Sequence, residues 1–179
     1  MRKLILKMHT SLDGYVRAAS GDVMGWVFRT FDDELAKWEV EELWKASAHL
    51  MGRKVYEEMA AHWPTSTEPF SPPMNQIPKV VFSKSVKRSD WQGTRIHGGD
   101  LGAEITRLKH EAGKDLLAHG GPGFAQSLAK LGAIDEYRLV VHPAVLGGGL
   151  RLFEDAMDLK FASARSFPAG AVALTYTRN

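Results

Sequence analysis

Short apolar strands alternate with amphipathic helices along most of this chain, and that alternation narrows the possible folds more than any other feature. "KLILKMH", from Lys3, alternates as a strand and stops at "SLDG", where Asp13 and Gly14 supply turn chemistry. A loop follows through Gly21, Gly25 and Trp26. Asp32 and Asp33 are N-cap residues for a helix that sets Leu35, Trp38, Leu43 and Ala46 near one face. "AHLMG" reads as a buried strand, and "RKVYEEMAAHW" as a helix that starts near Arg53 and is stopped by Pro64. The stretch from Pro64 to Pro78, rich in Pro, Ser and Thr, is predicted to be a surface loop leading to the strand "KVVFS". Next come a short strand "TRIHG" and a helix with Leu101, Ile105 and Leu108 in register. "LLAHG" is a further strand, and the helix after it carries a stripe of Phe124, Leu128 and Leu131. "IDEYRLVVHPAVLGGG" is a strand ending in a triple-glycine turn, and the tail folds as a hairpin around Pro168-Ala169-Gly170. The pattern predicts an α/β fold, a mostly parallel sheet covered on both faces with a C-terminal antiparallel hairpin at its edge.

A chain of 179 residues suffices for one domain, spanning 1–179, with a substantial core. The 23 Lys and Arg are interspersed with 21 Asp and Glu, so the net charge is only +2, which argues against nucleic acid as the main partner. Without cysteine there is no disulfide framework, thiol nucleophile or thiolate metal site, in keeping with a reducing cytoplasm. The first apolar run is interrupted by Lys7 and lacks a small-residue cleavage site, so no signal peptide is expected, and no run is long enough to span a membrane. The histidines show neither H-x-x-x-H nor H-E-x-x-H spacing, so no metal is expected.

On such sheets ligands sit at the carboxyl ends of the strands. The joint His119-Gly120-Gly121-Pro122-Gly123-Phe124 runs from a strand through glycines into a helix, with Pro122 suited to the first helical position. That arrangement brings free backbone N–H groups and a partial positive charge to one point, a site for phosphate or simply a tight connection. Gly52, Arg53 and Lys54 open another helix. Two cations there oppose the dipole by up to about 1 kcal/mol each unless an anion lies between them. Ser83 and Lys84 end a buried strand with a hydroxyl and an ammonium. Gly52, the Gly120–Gly121 pair and Gly147–Gly149 are expected to line one crevice. "HGG" at His97 and His119 suggests an oxyanion loop, yet the chain has no G-x-S-x-G elbow, and Gln126 breaks the dinucleotide fingerprint. The acid/base inventory of the expected pocket is limited to Asp13, Asp32, Asp33 and His119.

"SLDGYV", "LMGRKVYEEM", "KVVFSKSV", "LLAHGGPGFAQSL" and "IDEYRLVVHPAVLGGGLRLF", in this order, resemble the dihydrofolate reductase-like superfamily. Within it the chain is most similar to the C-terminal reductase domain of the bifunctional riboflavin-biosynthesis deaminase/reductase and its stand-alone relatives. The resemblance implies a three-layer α/β/α fold and NADPH as cofactor. It assigns Gly52, Arg53 and Lys54 to the cofactor phosphates, Ser83 and Lys84 to the 2′-phosphate, and Gly120, Gly121, Pro122, Gly123 and Phe124 to the pyrophosphate and nicotinamide. Asp13 and Gly14 would cover the nicotinamide, and Trp26 would lie near cofactor and substrate. It also implies a homodimer. The activity implied is an NADPH-dependent reduction of a small heterocyclic or carbonyl compound, resembling 5-amino-6-(5-phosphoribosylamino)uracil reductase. The alternatives are a nucleotide-binding protein without catalysis and a folate reductase. The chain departs from the riboflavin branch at His119, where that branch carries an acidic residue, and it shows no zinc-binding deaminase signature. An imidazole there is expected to meet substrate and to titrate near neutrality. A folate reductase would need Asp32 or Asp33 to face the pterin rather than cap a helix.

Overall fold

In chain order the elements are β1 (Leu4–Ser11), β2 (Tyr15–Ala18), α1 (Gly25–Phe28), α2 (Asp33–Trp44), β3 (Ala48–Gly52) and α3 (Arg53–His62). Then follow α4 (Ser71–Gln76), β4 (Lys79–Phe82), β5 (Thr94–His97), α5 (Leu101–His110), β6 (Leu116–His119) and α6 (Pro122–Lys130). The chain closes with β7 (Glu136–His142), β8 (Gly149–Arg151), β9 (Leu159–Ser166) and β10 (Val172–Arg178). The structure, a computed structural model, describes residues 1–178. Eight strands form one sheet in the order β5-β4-β3-β6-β1-β7-β10-β9. The first six of that order are mutually parallel, and β10 runs antiparallel to both β7 and β9.

Strand periodicity divides β1 between two cores. Leu4, Leu6 and Met8 pack with Ile105 and Leu108 of α5 and with Ala125 and Leu128 of α6. Ile5 faces the other way, toward Leu43 of α2, Tyr56 of α3 and Met74 of α4. Helices therefore cover both faces, giving the three-layer α/β/α arrangement. Leu6 is fully enclosed, so truncating it to alanine costs about 2–5 kcal/mol. Local chemistry supports each helix start. Asp32 caps α2 by accepting from the Leu35 N–H at 2.8 Å, Asp100 caps α5 through the Ala103 N–H at 2.7 Å, and Pro122 occupies the first turn of α6.

Three segments differ from the sequence expectation. The stretch from Pro64 to Pro78 contains helix α4, whose prolines occupy the first turn, where their missing N–H groups forfeit no helical bond. Its position is held by Lys79, a buried cation that donates to the Met74 and Asn75 carbonyls at 2.9 and 3.0 Å and lies 4.5 Å from the Trp91 ring centre. Burial brings the Lys79 ammonium down to about 8. The expected loop after Gly14 holds β2 and the single turn α1. The triple-glycine turn leads into β8, which pairs antiparallel with β2 as a separate two-stranded ribbon. No helix among the described residues is long and apolar enough to cross a membrane.

Candidate functional site

The glycine-bearing ends of β3 and β6 meet the end of β4 through Phe124. A Cβ on Gly52 would lie 3.1 Å from the Phe124 Cβ, and the Phe124 ring stacks on Phe82 with centroids 5.3 Å apart. Gly121 has φ +98°, a conformation that side chains strain, and a Cβ there would meet Val55 at 2.8 Å. A Cβ on Gly120 would overlap the Met8 sulfur. These two glycines thus serve the packing of the joint itself. Gly123 is different, because it is exposed, lies in the helix, and has no atom within 4 Å of the space a Cβ would fill.

Neither α3 nor α6 has a side-chain N-cap, so two adjacent strands deliver two bare helix N-termini to one edge. Arg53 and Lys54 are exposed in the first turn of α3, and Arg53 reaches Glu57 at 3.2 Å, which partly answers its charge from within the helix. Lys84 is exposed, while Ser83 accepts from the Val86 N–H at 3.0 Å. The parallel neighbour β5 brings His97 and Gly98 beside Ser83, and Asp100 just beyond is turned into its own helix cap.

The remaining candidates divide. The Asp13 carboxylate accepts from Ser11 Oγ at 2.6 Å and from the Leu146 and Gly147 N–H groups at 3.1 and 2.8 Å. The Ser11 hydroxyl chiefly, with those two amides, brings its pKa down to about 2, so Asp13 anchors the β7–β8 loop to the turn at Gly14 and is a poor proton donor. Gly147–Gly149 consequently line the β2–β8 ribbon and not the Gly52–Phe124 contact. Asp32 spends its second oxygen on the Ala169 N–H at 2.7 Å, and its α2 N–H bond above all keeps its pKa low. Asp33 is exposed in the first turn of α2. His119 is buried edge-on against His49, 4.6 Å between ring centres, and its Nε2 has no hydrogen-bond partner among the described residues. Burial holds its pKa well below the ordinary 6.5, so it is neutral at neutral pH, contrary to the expected titration near neutrality.

A buried group of acid/base side chains was absent from the sequence inventory. Lys7 and His9 share a face of β1, and both reach Glu39 of α2, with Lys7 Nζ 3.0 Å from Oε2 and His9 Nε2 3.3 Å from Oε1. His9 Nδ1 lies 2.9 Å from His142 Nε2, and Thr30 Oγ1 lies 2.7 Å from His142 Nδ1. Trp26 stands edge-on to His142 at 5.6 Å, with its own buried Nε1 unpartnered among the described residues. Burial lowers both imidazoles, His142 to about 4. Burial alone would raise Glu39, but the Lys7 ammonium and the imidazoles together bring it below the ordinary carboxylate value. One signal was available in the sequence. Glu39 falls between Leu35 and Leu43 on the apolar face of α2, where a carboxylate needs a buried partner.

A mostly parallel sheet between two helical layers, with antiparallel C-terminal strands at one edge, is a dihydrofolate reductase-like fold. The chain belongs to the RibD C-terminal domain family, whose profile matches residues 2–173. The uncharacterized protein YyaP of Bacillus subtilis is 30% identical over 186 residues, covering 99% of this chain and 96% of that one. Among solved structures, a putative riboflavin biosynthesis protein from Shewanella sp. PV-4 superposes with a TM-score of 0.79 at 23% identity, covering 99% of both chains. Dihydrofolate reductase from Enterococcus faecalis, complexed with NADP(H), gives 0.64 at 12% identity over 99% of this chain and 96% of that one.

Proposed function

We propose that this protein is an NADPH-dependent reductase of a small heterocyclic or carbonyl substrate. The observation that carries the reading is the pair of uncapped helix N-termini, α3 and α6, opening side by side at the carboxyl edge of the sheet. In this reading Gly52, Arg53, Lys54, Gly121, Pro122 and Gly123 hold the phosphates, and Ser83 with Lys84 holds the 2′-phosphate. Gly14, Gly120 and Phe124 border the nicotinamide, and Trp26 and His119 lie on the substrate side. The cofactor supplies the hydride, and the chain supplies position, exclusion of water and a proton. The whole chain works as one domain. It pairs as a homodimer, a reading supported by the open edge strand β9 with Phe161 58% exposed.

The test is tryptophan-fluorescence titration with NADPH and NADH, followed by cofactor consumption with 5-amino-6-(5-phosphoribosylamino)uracil and with dihydrofolate. Tight NADPH binding with turnover of the aminouracil supports the riboflavin-like reading. Turnover of dihydrofolate alone makes the protein a folate reductase, and binding without any consumption makes it a nucleotide-binding protein. No binding of either cofactor overturns the proposal. Sedimentation showing a monomer at micromolar concentration removes the dimer.

A further inference from the structure

We propose that His9, His142 and Thr30 form a proton relay that ends at the Thr30 hydroxyl and protonates the substrate, with Glu39 and Lys7 setting its direction. Its substrate end rests on the reductase reading above. Two hydrogen-bond contacts run in series, from Thr30 Oγ1 to His142 Nδ1 at 2.7 Å and from His142 Nε2 to His9 Nδ1 at 2.9 Å, and His9 Nε2 then stands 3.3 Å from Glu39 Oε1 in an electrostatic contact, that oxygen accepting no hydrogen bond among the described residues. Lys7 holds the other carboxylate oxygen at 3.0 Å. The groups meeting here come from β1, β7, α2 and the segment after α1, and the charged or titratable ones are Lys7, His9, Glu39 and His142. Trp26 and Phe31 add uncharged rings beside His142 and His9. His142 is fully buried, whereas Thr30 is only half-buried, so the chain of contacts has an outlet.

The Glu39 charge and the two hydrogen-bond contacts set the resting state. With Glu39 ionised and both imidazoles neutral, His9 keeps its proton on Nε2, facing the carboxylate. Its Nδ1 then accepts from His142 Nε2–H, and His142 Nδ1 accepts from the Thr30 hydroxyl. Every donor points inward. One added proton on the imidazole pair reverses the outer bonds, so that His9 Nδ1–H donates to His142, His142 Nδ1–H donates to Thr30, and the Thr30 hydrogen points outward.

Hydride addition to the carbon of a C=O or C=N group leaves an electron pair on oxygen or nitrogen. That pair takes the Thr30 hydrogen while Thr30 Oγ1 takes the hydrogen from His142 Nδ1, and the imidazoles return to rest. The substrate has gained one hydride and one proton, and Glu39 has kept its charge. The next proton enters from solvent at His9, whose side chain is 17% exposed. Thr30 is the catalytic residue of this scheme, and His142, His9, Glu39 and Lys7 are positioning residues.

Long-range proton–nitrogen NMR on the isotope-labelled whole protein reads the tautomers without any substrate. The relay requires Nε2–H on both His9 and His142 at neutral pH. It also requires a coupled titration in which the first proton weakens the second at least tenfold. Glu39→Gln should lower the first proton affinity of the pair at least tenfold. An Nδ1–H tautomer at His142, or two independent titrations, overturns the proposal. Thr30→Val leaves the Lys7–Glu39 pair intact and guards against a Glu39 variant that does not fold. With NADPH and whichever of the two substrates is consumed, it should reduce kcat at least a hundredfold with little change in KM, and Thr30→Ser should restore it. Turnover should also fall as pH rises above the titration of the pair. Unchanged kcat in Thr30→Val overturns the relay. Absence of NADPH binding sinks the reductase reading instead, and the tautomers and coupling still decide the relay.

Discussion

Replacing Gly123 with alanine separates what the glycine joint does for the fold from what it does for a ligand. Nothing lies within 4 Å of the added methyl, and the residue is already helical, so no strain or clash opposes the change. Glycine in a helix costs about 0.5–1 kcal/mol relative to alanine, and the free protein should gain roughly that much. For a chain of this size the gain raises the melting temperature by about 1–4 °C. If the cofactor phosphates rest on this backbone, the methyl occupies their space. NADPH at a hundredfold excess over its Kd stabilises the wild type by about 2.7 kcal/mol. A variant that binds a hundredfold more weakly gains only about 0.4 kcal/mol at the same concentration. Thermal unfolding with and without NADPH should therefore show the two proteins exchanging order, with the variant more stable when free and less stable with cofactor. A free variant that melts below the wild type, or an undiminished NADPH shift, would refute the reasoning.

Glu39→Leu strands the Lys7 ammonium, whose side chain is only 9% exposed, and should cost about 3–5 kcal/mol in urea unfolding. Adding Lys7→Met should recover most of that loss, and additive losses would contradict the pairing. Lys84→Glu should weaken NADPH at least tenfold and leave NADH nearly unchanged, since one charge-assisted bond is worth roughly 1.5–3 kcal/mol. Equal losses for both cofactors place the 2′-phosphate elsewhere. Asp13, whose pKa falls from 3.8 to about 2 on folding, contributes stability that is present above 3.8 and lost as pH drops through 2. Asp13→Asn should flatten that part of the acid-unfolding curve, and an unaltered curve contradicts the anchoring role.

The architecture was legible where its causes are local. Period-two strands, the helix cap at Asp32 and the prolyl start of α6 each follow from a few neighbouring residues. α4 was hidden because Ser71-Pro72-Pro73 reads as a loop until the buried Met74 and the Lys79 clamp show a helix resting on its C-terminal carbonyls. β2 and β8 are too short to show a period, and only their mutual pairing makes them strands. The glycine joint stood out because positive φ and close packing limit which residues fit there, whereas the His9–His142 contact joins residues 133 positions apart. No local pattern marks such a contact. Asp13 was visible as a carboxylate and Asp32 as a cap, but only the fold shows that the Leu146 and Gly147 amides occupy Asp13 and that the Ala169 amide takes the second oxygen of Asp32.

The central place of β1 has a consequence for how the protein is made. Its sheet partners, β6 and β7, lie late in the chain, so the earliest-made strand of this sheet is among the last to be enclosed. At synthesis rates of about 5–20 residues per second, the 133 residues from His9 to His142 take roughly 7–27 s to appear. Until β6 emerges both hydrogen-bonding edges of an apolar strand are open to other chains, and the edge that β7 covers stays open longer. Lys7, the only cationic side chain in β1, interrupts its apolar run and acts as a gatekeeper against such pairing until Glu39 and the late strands enclose it.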